Sequence, residues 1–422
     1  MNRLHSSQDW HAKAAEVLPA AGFGNFDPGL ILARGEGAYV WDTDGKRYID
    51  YLIGSGPMLL GHGHPEVLEA VYEQLPKGQT FFANNPLGIE LAEAIIDAVP
   101  CCEHVRFVTS GGEADMYAIR LARAFKGMTK IIKFEGGYHG MSAEAQMSLA
   151  PAKEVNFPTP VADSAGIPES VAQDILVAPF NDLDAVASLL AEHSDIAGII
   201  VEPLQRIIPA EPGFLAGLRA LCDTHGVLLI FDEIVTGFRL AYGGAQEAYG
   251  VTPDICTLGK VIGGGFPIAA LGASAEIMAH FDKAKSPDDW LMQLGTLSGN
   301  PVAAAAGLKT LEILRRPNQY ETLRANGQKI MDMITETLTK AGEPHQICGD
   351  TTLFDVYFTE NAPRDYRSAK HTSPEKAAIW NETLRQEGIL KSPAKLYPSL
   401  ALSEEDLGQT HEALKLAADA LA

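Results

Sequence analysis

The sequence predicts an α/β fold built on a mostly parallel sheet, and three observations carry that expectation. Four short apolar runs, HVRFV, KIIKF, AGIIV and VLLIF, recur from His104 onward. Each hands over to polar or glycine-rich residues (TSGGEA, EGGYHG, EPLQ, DEIV) and then to helix-like sequence. The last two, AGIIV and VLLIF, are apolar throughout instead of alternating, as in strands covered on both faces. A sheet wound this way gathers its functional residues at the carboxyl ends of its strands.

At 422 residues the chain exceeds what one core usually supports, so two or more lobes are expected. With 46% hydrophobic residues and 40 glycines, it has the composition of a globular, turn-rich protein. Lys and Arg total 33 against 54 for Asp and Glu, a net charge of -21, which argues against nucleic acid or an anionic membrane as partner. The five cysteines, Cys101, Cys102, Cys222, Cys256 and Cys348, show no metal-ligand spacing, and their odd number suits a reducing compartment. No signal-like segment opens the chain, and no apolar stretch approaches the ~20 residues of a membrane span. A soluble, cytoplasmic protein is expected.

In chain order, WHAKAAEVL (Trp10 to Leu18) has helical spacing and stops at Pro19. GAYVWDTDGKRYIDYL reads as a hairpin turning at Asp44 and Gly45. The turn-dense GSGPMLLGHGHP leads into the helical EVLEAVYEQL. In TSGGEADMYAIRLARAF, Ser110 and Glu113 have capping-box spacing, and Met116, Ile119 and Ala122 mark an amphipathic helix. Its start at Gly111 and Gly112 offers bare N–H groups and the positive end of a helix dipole to an anion such as a phosphate.

The stretch from Val227 to Gly265 holds the chemistry. One run, Val227 to Phe231, ends in Asp232 and Glu233; a second, Ile255 to Leu258, ends in Gly259 and Lys260. Alone, either strand end is ordinary. Together, a carboxylate and a lysine facing one pocket suit pyridoxal 5'-phosphate (PLP). The amine forms a Schiff base with the cofactor aldehyde, and the carboxylate keeps the pyridine nitrogen protonated so that the ring acts as an electron sink.

FDEIVTGFR, TLGKVIGGGFPIAALGA and GTLSGNP resemble the corresponding segments of class III (ω-type) PLP-dependent aminotransferases, above all the glutamate-1-semialdehyde aminomutase branch. The likeness runs from about Gly35 to about Gly307 and weakens beyond. It implies the fold type I architecture: a large domain with a mostly parallel seven-stranded sheet, and a smaller α+β domain built from both termini. The implied division is 1–60, 61–305 and 306–422, with the central part holding PLP. It implies Lys260 and Asp232 as catalytic residues and Ser110, Gly111 and Gly112 as the phosphate cup. Tyr138 stacks on the ring, His139 stands beside it, and Ile234 packs on the opposite ring face. Glu202 orders the pocket, and Gln205 bonds the cofactor's phenolic oxygen. Thr296 reaches the phosphate of a neighbouring subunit, which implies a homodimer with shared active sites.

The resemblance implies a ping-pong transaminase acting on a small-molecule amine donor and a keto or aldehyde acceptor. The alternative is an isomerase, an aminomutase or racemase, using one amino substrate; an intact Lys260 and Asp232 argue against a non-catalytic protein. Four departures bear on the choice. The branch carries an arginine in a segment like NSPVRAF where this chain has GFGNFDP; Ser55 replaces a tryptophan; Gly112 stands where Thr is usual; and no arginine lies between Leu390 and Leu402. The first two favour intermolecular transamination. Arg206 and Arg239 are then the candidates for a substrate carboxylate, and amines or aminoaldehydes are expected to fit at least as well as dicarboxylic amino acids.

Overall fold

The computed structural model describes residues 6–421. Near the N-terminus, β1 (Leu32–Glu36), β2 (Tyr39–Asp42) and β3 (Arg47–Asp50) form an antiparallel meander. Its turn at Gly45, φ +89°, is tied by Asp42, whose carboxylate accepts from the N–H groups of Asp44 and Lys46. This confirms the predicted hairpin. The expected N-terminal helix runs Ser7–Val17, starting earlier than Trp10 because Ser6 and Asp9 cap it reciprocally.

The large sheet contains the four expected strands, of which β4 (His104–Val108) and β5 (Lys130–Phe134) come first; β6 (Ile175–Ala178), not anticipated, precedes the third, β7 (Ile196–Val201), and the fourth is β10 below. A small hairpin, β8 (Leu204–Gln205) with β9 (Ile208–Pro209), follows β7. Then come β10 (Leu228–Glu233), β11 (Ile255–Leu258) and β12 (Ala269–Ala273). The order is β4-β12-β11-β10-β7-β5-β6, with β12 antiparallel to both neighbours, so the sheet is seven-stranded and mostly parallel. Its strands read as continuous apolar runs because both faces are covered. Leu229, Phe231 and Cys256 enter one core; Leu228, Ile230 and Ile255 enter the other. That alternation sends Asp232 and Glu233, both inside β10, to opposite faces.

Beyond the sheet, a long helix (Gln319–Ala341), the hairpin β13 (Gln346–Asp350) and β14 (Leu353–Tyr357), and the helices Pro374–Gln386 and Glu404–Asp419 form a third core with Ile49 and Tyr51. The two-residue β15 (Ile389–Leu390) pairs in parallel with β3, so the late chain closes the sheet begun by the early chain.

The helix Pro301–Leu314 is buried on nearly every side, packed between the helices Pro65–Gln74 and Pro86–Ala98 and the turn Lys260–Gly263. Its Gly307 lies against that turn: a Cβ there would stand 2.0 Å from the Ile262 carbonyl oxygen. Exchanging Gly307 for Ala should therefore cost roughly 1–3 kcal/mol of stability by overpacking. It should also displace the Lys260 turn, lowering Tm and turnover together. An unchanged urea midpoint would show that the turn does not depend on this contact.

Candidate active site

Asp232, 4% exposed, is the centre of the cluster. Its Oδ2 accepts a hydrogen bond from His139 Nδ1 at 2.7 Å, and its Oδ1 accepts from the Ile234 N–H at 3.1 Å. Because a carboxylate only accepts, Nδ1 of His139 carries the proton, which leaves Nε2 facing the pocket. A third contact was not legible in the sequence. Asp115, one turn into the helix Gly111–Lys126, also hydrogen-bonds Asp232 and receives the Thr257 hydroxyl at 2.6 Å. Burial first, then the charge of Asp232, hold the Asp115 carboxyl well above the usual carboxylate range. Asp115 is thus shifted toward its neutral form, in which it can donate its proton to Asp232. Its one sequence signal is an acid on the apolar stripe of an amphipathic helix.

Lys260 begins the turn after β11 with its backbone in the left-handed region, φ +48°, which any side chain other than glycine adopts at a cost. The turn aims the side chain at a packed corner where a Cβ on Gly56 would meet Lys260 Cδ at 3.3 Å, a Tyr397 ring carbon at 3.3 Å and Arg239 Nη2 at 3.7 Å. Burial pulls the Lys260 ammonium below its ordinary pKa, and its amine has no hydrogen-bond or ion-pair partner among the described residues. Arg239 is occupied: fully buried, it donates to the carbonyls of Gly56 and Thr352 and lies over the Tyr397 ring. Of the two arginines considered for a substrate carboxylate, Arg239 is a brace of the site wall.

The loop after β5 brings Tyr138 and His139 to the pocket. Its anchor, also missed in the sequence, is Lys133, a fully buried ammonium that donates to the carbonyls of Gly137, Ala145 and Met147. Burial brings Lys133 down to about 7. The signal was a lysine inside the apolar run KIIKF. Glu202, after β7, accepts the Tyr138 N–H at 3.0 Å, while the Tyr138 ring is 41% exposed. Gln205 donates to the Glu135 carbonyl at 2.9 Å and leaves its Oε1 buried without a partner. His139 Nε2 is a second such orphan, and both atoms face Gly137. Ile234 leans on Gly111 and Gly259, joining the cup region to the approach to Lys260.

At the cup, Ser110 caps the helix by accepting the Glu113 N–H, as expected. The predicted capping box closes differently: the Glu113 carboxylate accepts from Thr109, one residue before the cap. Gly112 stands close to Gly140: a Cβ on Gly112 would lie 3.0 Å from Gly140 Cα, so a Thr there would be crowded. Thr296 stands apart from the cluster. It is exposed, and its carbonyl accepts the Thr80 hydroxyl at 3.1 Å.

A buried carboxylate, a desolvated amine, a glycine-lined helix start, a half-open aromatic ring and two orphaned polar atoms converge here. These groups fit PLP: they supply a partner for a protonated ring nitrogen, a nucleophile for an aldehyde, N–H groups for a phosphate and acceptors or donors for the remaining polar atoms.

The arrangement defines a PLP-dependent enzyme of the aminotransferase fold. The family model for aminotransferase class-III matches residues 24–418, and the chain belongs to that family. Among solved structures it is similar to an omega-transaminase from Sphaerobacter thermophilus, at 34% identity and a TM-score of 0.93, covering 100% of this chain and 98% of that one. It is also similar to a β-phenylalanine aminotransferase from Variovorax paradoxus (31%, TM-score 0.85, 97% and 92% covered). A third is a glutamate-1-semialdehyde aminomutase from Pseudomonas aeruginosa PAO1, in complex with PMP (26%, TM-score 0.88, 99% and 94% covered). The cofactor is PLP, as in neighbours of the same fold.

A pH dependence follows from Asp115. Its native pKa lies above the unfolded value of about 3.8, so the folded chain retains a proton that the unfolded chain releases. The stability tied to Asp115 is full below that value and is lost as pH rises toward the native pKa. Asp115→Asn keeps both hydrogen bonds and does not titrate. The urea midpoint of the variant should therefore gain on wild type between pH 4 and pH 7; a constant difference across that range would mean that Asp115 is ionised.

Proposed function

We propose that the protein is a ping-pong transaminase in which Lys260 and Asp232 are the catalytic residues. The observation that carries this reading is the desolvated amine of Lys260, without a hydrogen-bond or ion-pair partner among the described residues and within electrostatic reach of the buried Asp232 carboxylate. PLP, when bound, supplies an aldehyde that condenses with amines and a ring that accepts the electron pair released at the substrate carbon. The lowered pKa of Lys260 makes its Nζ a nucleophile and, once free, a base that collects a proton from the substrate carbon and redelivers it. Asp232, fixed by His139 and the neutral Asp115, keeps its negative charge aimed at the ring nitrogen. Tyr138 would cover one ring face of the cofactor and Ile234 the other. Ser110, Gly111 and Gly112 take the phosphate, Gln205 the phenolic oxygen, and Glu202 holds the Tyr138 loop in place.

The substrate class follows from two cations. Arg206, in the β8–β9 turn with φ +63°, lies 5.4 Å from the centre of the Tyr138 ring. Burial, then the charge of Arg206, lowers Lys395 to about 8. Among the described residues neither cation has a hydrogen-bond or ion-pair partner, whereas Lys391 is spent on Asp355 at 2.7 Å. Two unneutralised cations at the mouth favour a donor or acceptor with one carboxylate near the reacting carbon, such as an amino acid and its keto acid. The similarity to a β-phenylalanine aminotransferase supports this.

A homodimer is supported by the surface around Thr296. Phe81 and Phe82 adjoin it through Thr80, and Met292, Leu294 and Leu297 flank it, all exposed large apolar residues. An assembly that covers this face delivers Thr296 to a partner's phosphate site. The sheet shared by residues 32–50 and 389–390 supports the division into 1–60, 61–305 and 306–422. Five free cysteines support a cytoplasmic location.

Lys260→Ala should lower turnover by at least ~10³-fold with the fold intact. Retained turnover would remove the central assignment. In a donor panel, Arg206→Gln should raise KM for amino acids while leaving simple amines unaffected; an equal change for both would take Arg206 out of substrate binding. Conversion of the cofactor to its amino form by donor, reversed by pyruvate or 2-oxoglutarate, separates the transaminase from an isomerase that needs no second substrate.

A further inference from the structure

Three of the five cysteines, scattered in sequence, meet on the face of the sheet opposite Asp232. Cys102 Sγ lies 3.5 Å from Cys256 Sγ and 4.0 Å from Cys101 Sγ, and all three sulphurs fall within 4.8 Å of one another. Cys256 is on β11, whose next residue, Thr257, faces the Asp115 side; Cys101 and Cys102 follow the helix Pro86–Ala98. Cys256 is fully buried, Cys102 is 4% exposed and Cys101 is 8% exposed, so the cluster has one narrow edge toward solvent. Gln246 fixes that edge at both ends of its amide: Oε1 accepts the Cys101 N–H at 3.0 Å, and Nε2 donates to Cys101 Sγ at 3.4 Å. No catalytic role uses these thiols, and no disulfide joins them.

The spacing matches a shared central atom. Thiolates bound at about 2.3 Å hold their sulphurs about 3.5 to 4.0 Å apart, depending on the angle at the centre. Sulphur ligands select soft, thiophilic elements. Charge narrows the choice further. No cationic side chain bonds to the three sulphurs among the described residues, and the charged group next in the contact chain is the acid Glu233, 3.1 Å from Gln246 Nε2. Three thiolates around a monovalent or divalent ion would leave net negative charge in this buried place, which is costly. Around a trivalent centre they are neutral.

We propose that Cys101, Cys102 and Cys256 form a trithiol site for a trivalent thiophile, of which arsenite is the test case. Three S–H protons leave with the three hydroxides of arsenous acid as three waters. Three As–S bonds replace three As–O bonds, and arsenic remains trivalent throughout. Cys101 takes the incoming atom first, from its exposed edge, and the two sulphurs behind it complete the shell.

The holoenzyme, kept reduced with a phosphine, is titrated with arsenite and followed by native mass spectrometry and thermal unfolding. The expected result is one arsenic per chain with the loss of three protons and a rise in Tm, because the ligand ties the native trio together. Cys101→Ser and Cys102→Ser, which keep transaminase turnover as a check of folding, should each weaken binding by at least ~100-fold. Cys222→Ser and Cys348→Ser should bind as wild type does. An adduct that retains a hydroxide, undiminished binding in the Cys102 and Cys101 variants, or a fall in Tm from arsenite capturing thiols released on unfolding would each overturn the site.

Discussion

The site is built around one carboxylate, Asp232, buried in a place that penalises charge. Asp232 is buried near the end of a strand whose four preceding residues are apolar, and no permanent cation is bonded to it among the described residues. Burial of an uncompensated ion costs several kcal/mol, so the charge persists only if donors surround it. This chain supplies an imidazole N–H, a backbone N–H and the hydroxyl of a neutral acid. The apolar surroundings and the polar clamp therefore form one device, into which the proposed partner, a protonated ring nitrogen, would fit.

The alternation of strand residues explains how so much function fits on so short a segment. Neighbours in β10 and β11 face opposite ways, so Asp232 and Thr257 look toward the helix Gly111–Lys126 while Glu233 and Cys256 look away. Two polar networks are thus separated by one layer of backbone. On the far side, burial pushes Glu233 up to about 7, and Gln246 links it to Cys101.

Much of this was legible in the sequence because it is local. The strands were largely apolar runs, the turns carried glycine and asparagine or aspartate, and the candidate pair Asp232 and Lys260 stood at strand ends. What the sequence withheld was tertiary. Asp115 and Lys133 sit inside apolar patterns, where a charged residue reads as a blemish until its partners, 117 and up to 14 positions away, are known. The cysteine trio is invisible to spacing because its third member, 154 residues from the second, arrives from another strand. The close approach of Gly140 to Gly112, where Thr is usual, comes from a loop 28 residues on. Arg239, equal to Arg206 by motif position, differs from it because backbone carbonyls occupy its guanidinium.

The parallel pairing of β15 with β3 joins residues more than 330 positions apart, Ile389 with Ile49. During synthesis the seven strands of the large sheet have all left the ribosome while that edge still has no partner. At about 5–20 residues per second, the early strands wait tens of seconds for their neighbour to be made. The exposed edge of β3 is in that interval a template for pairing with another nascent chain. Completion of the wall that carries Tyr397 is therefore among the last events in the making of each molecule.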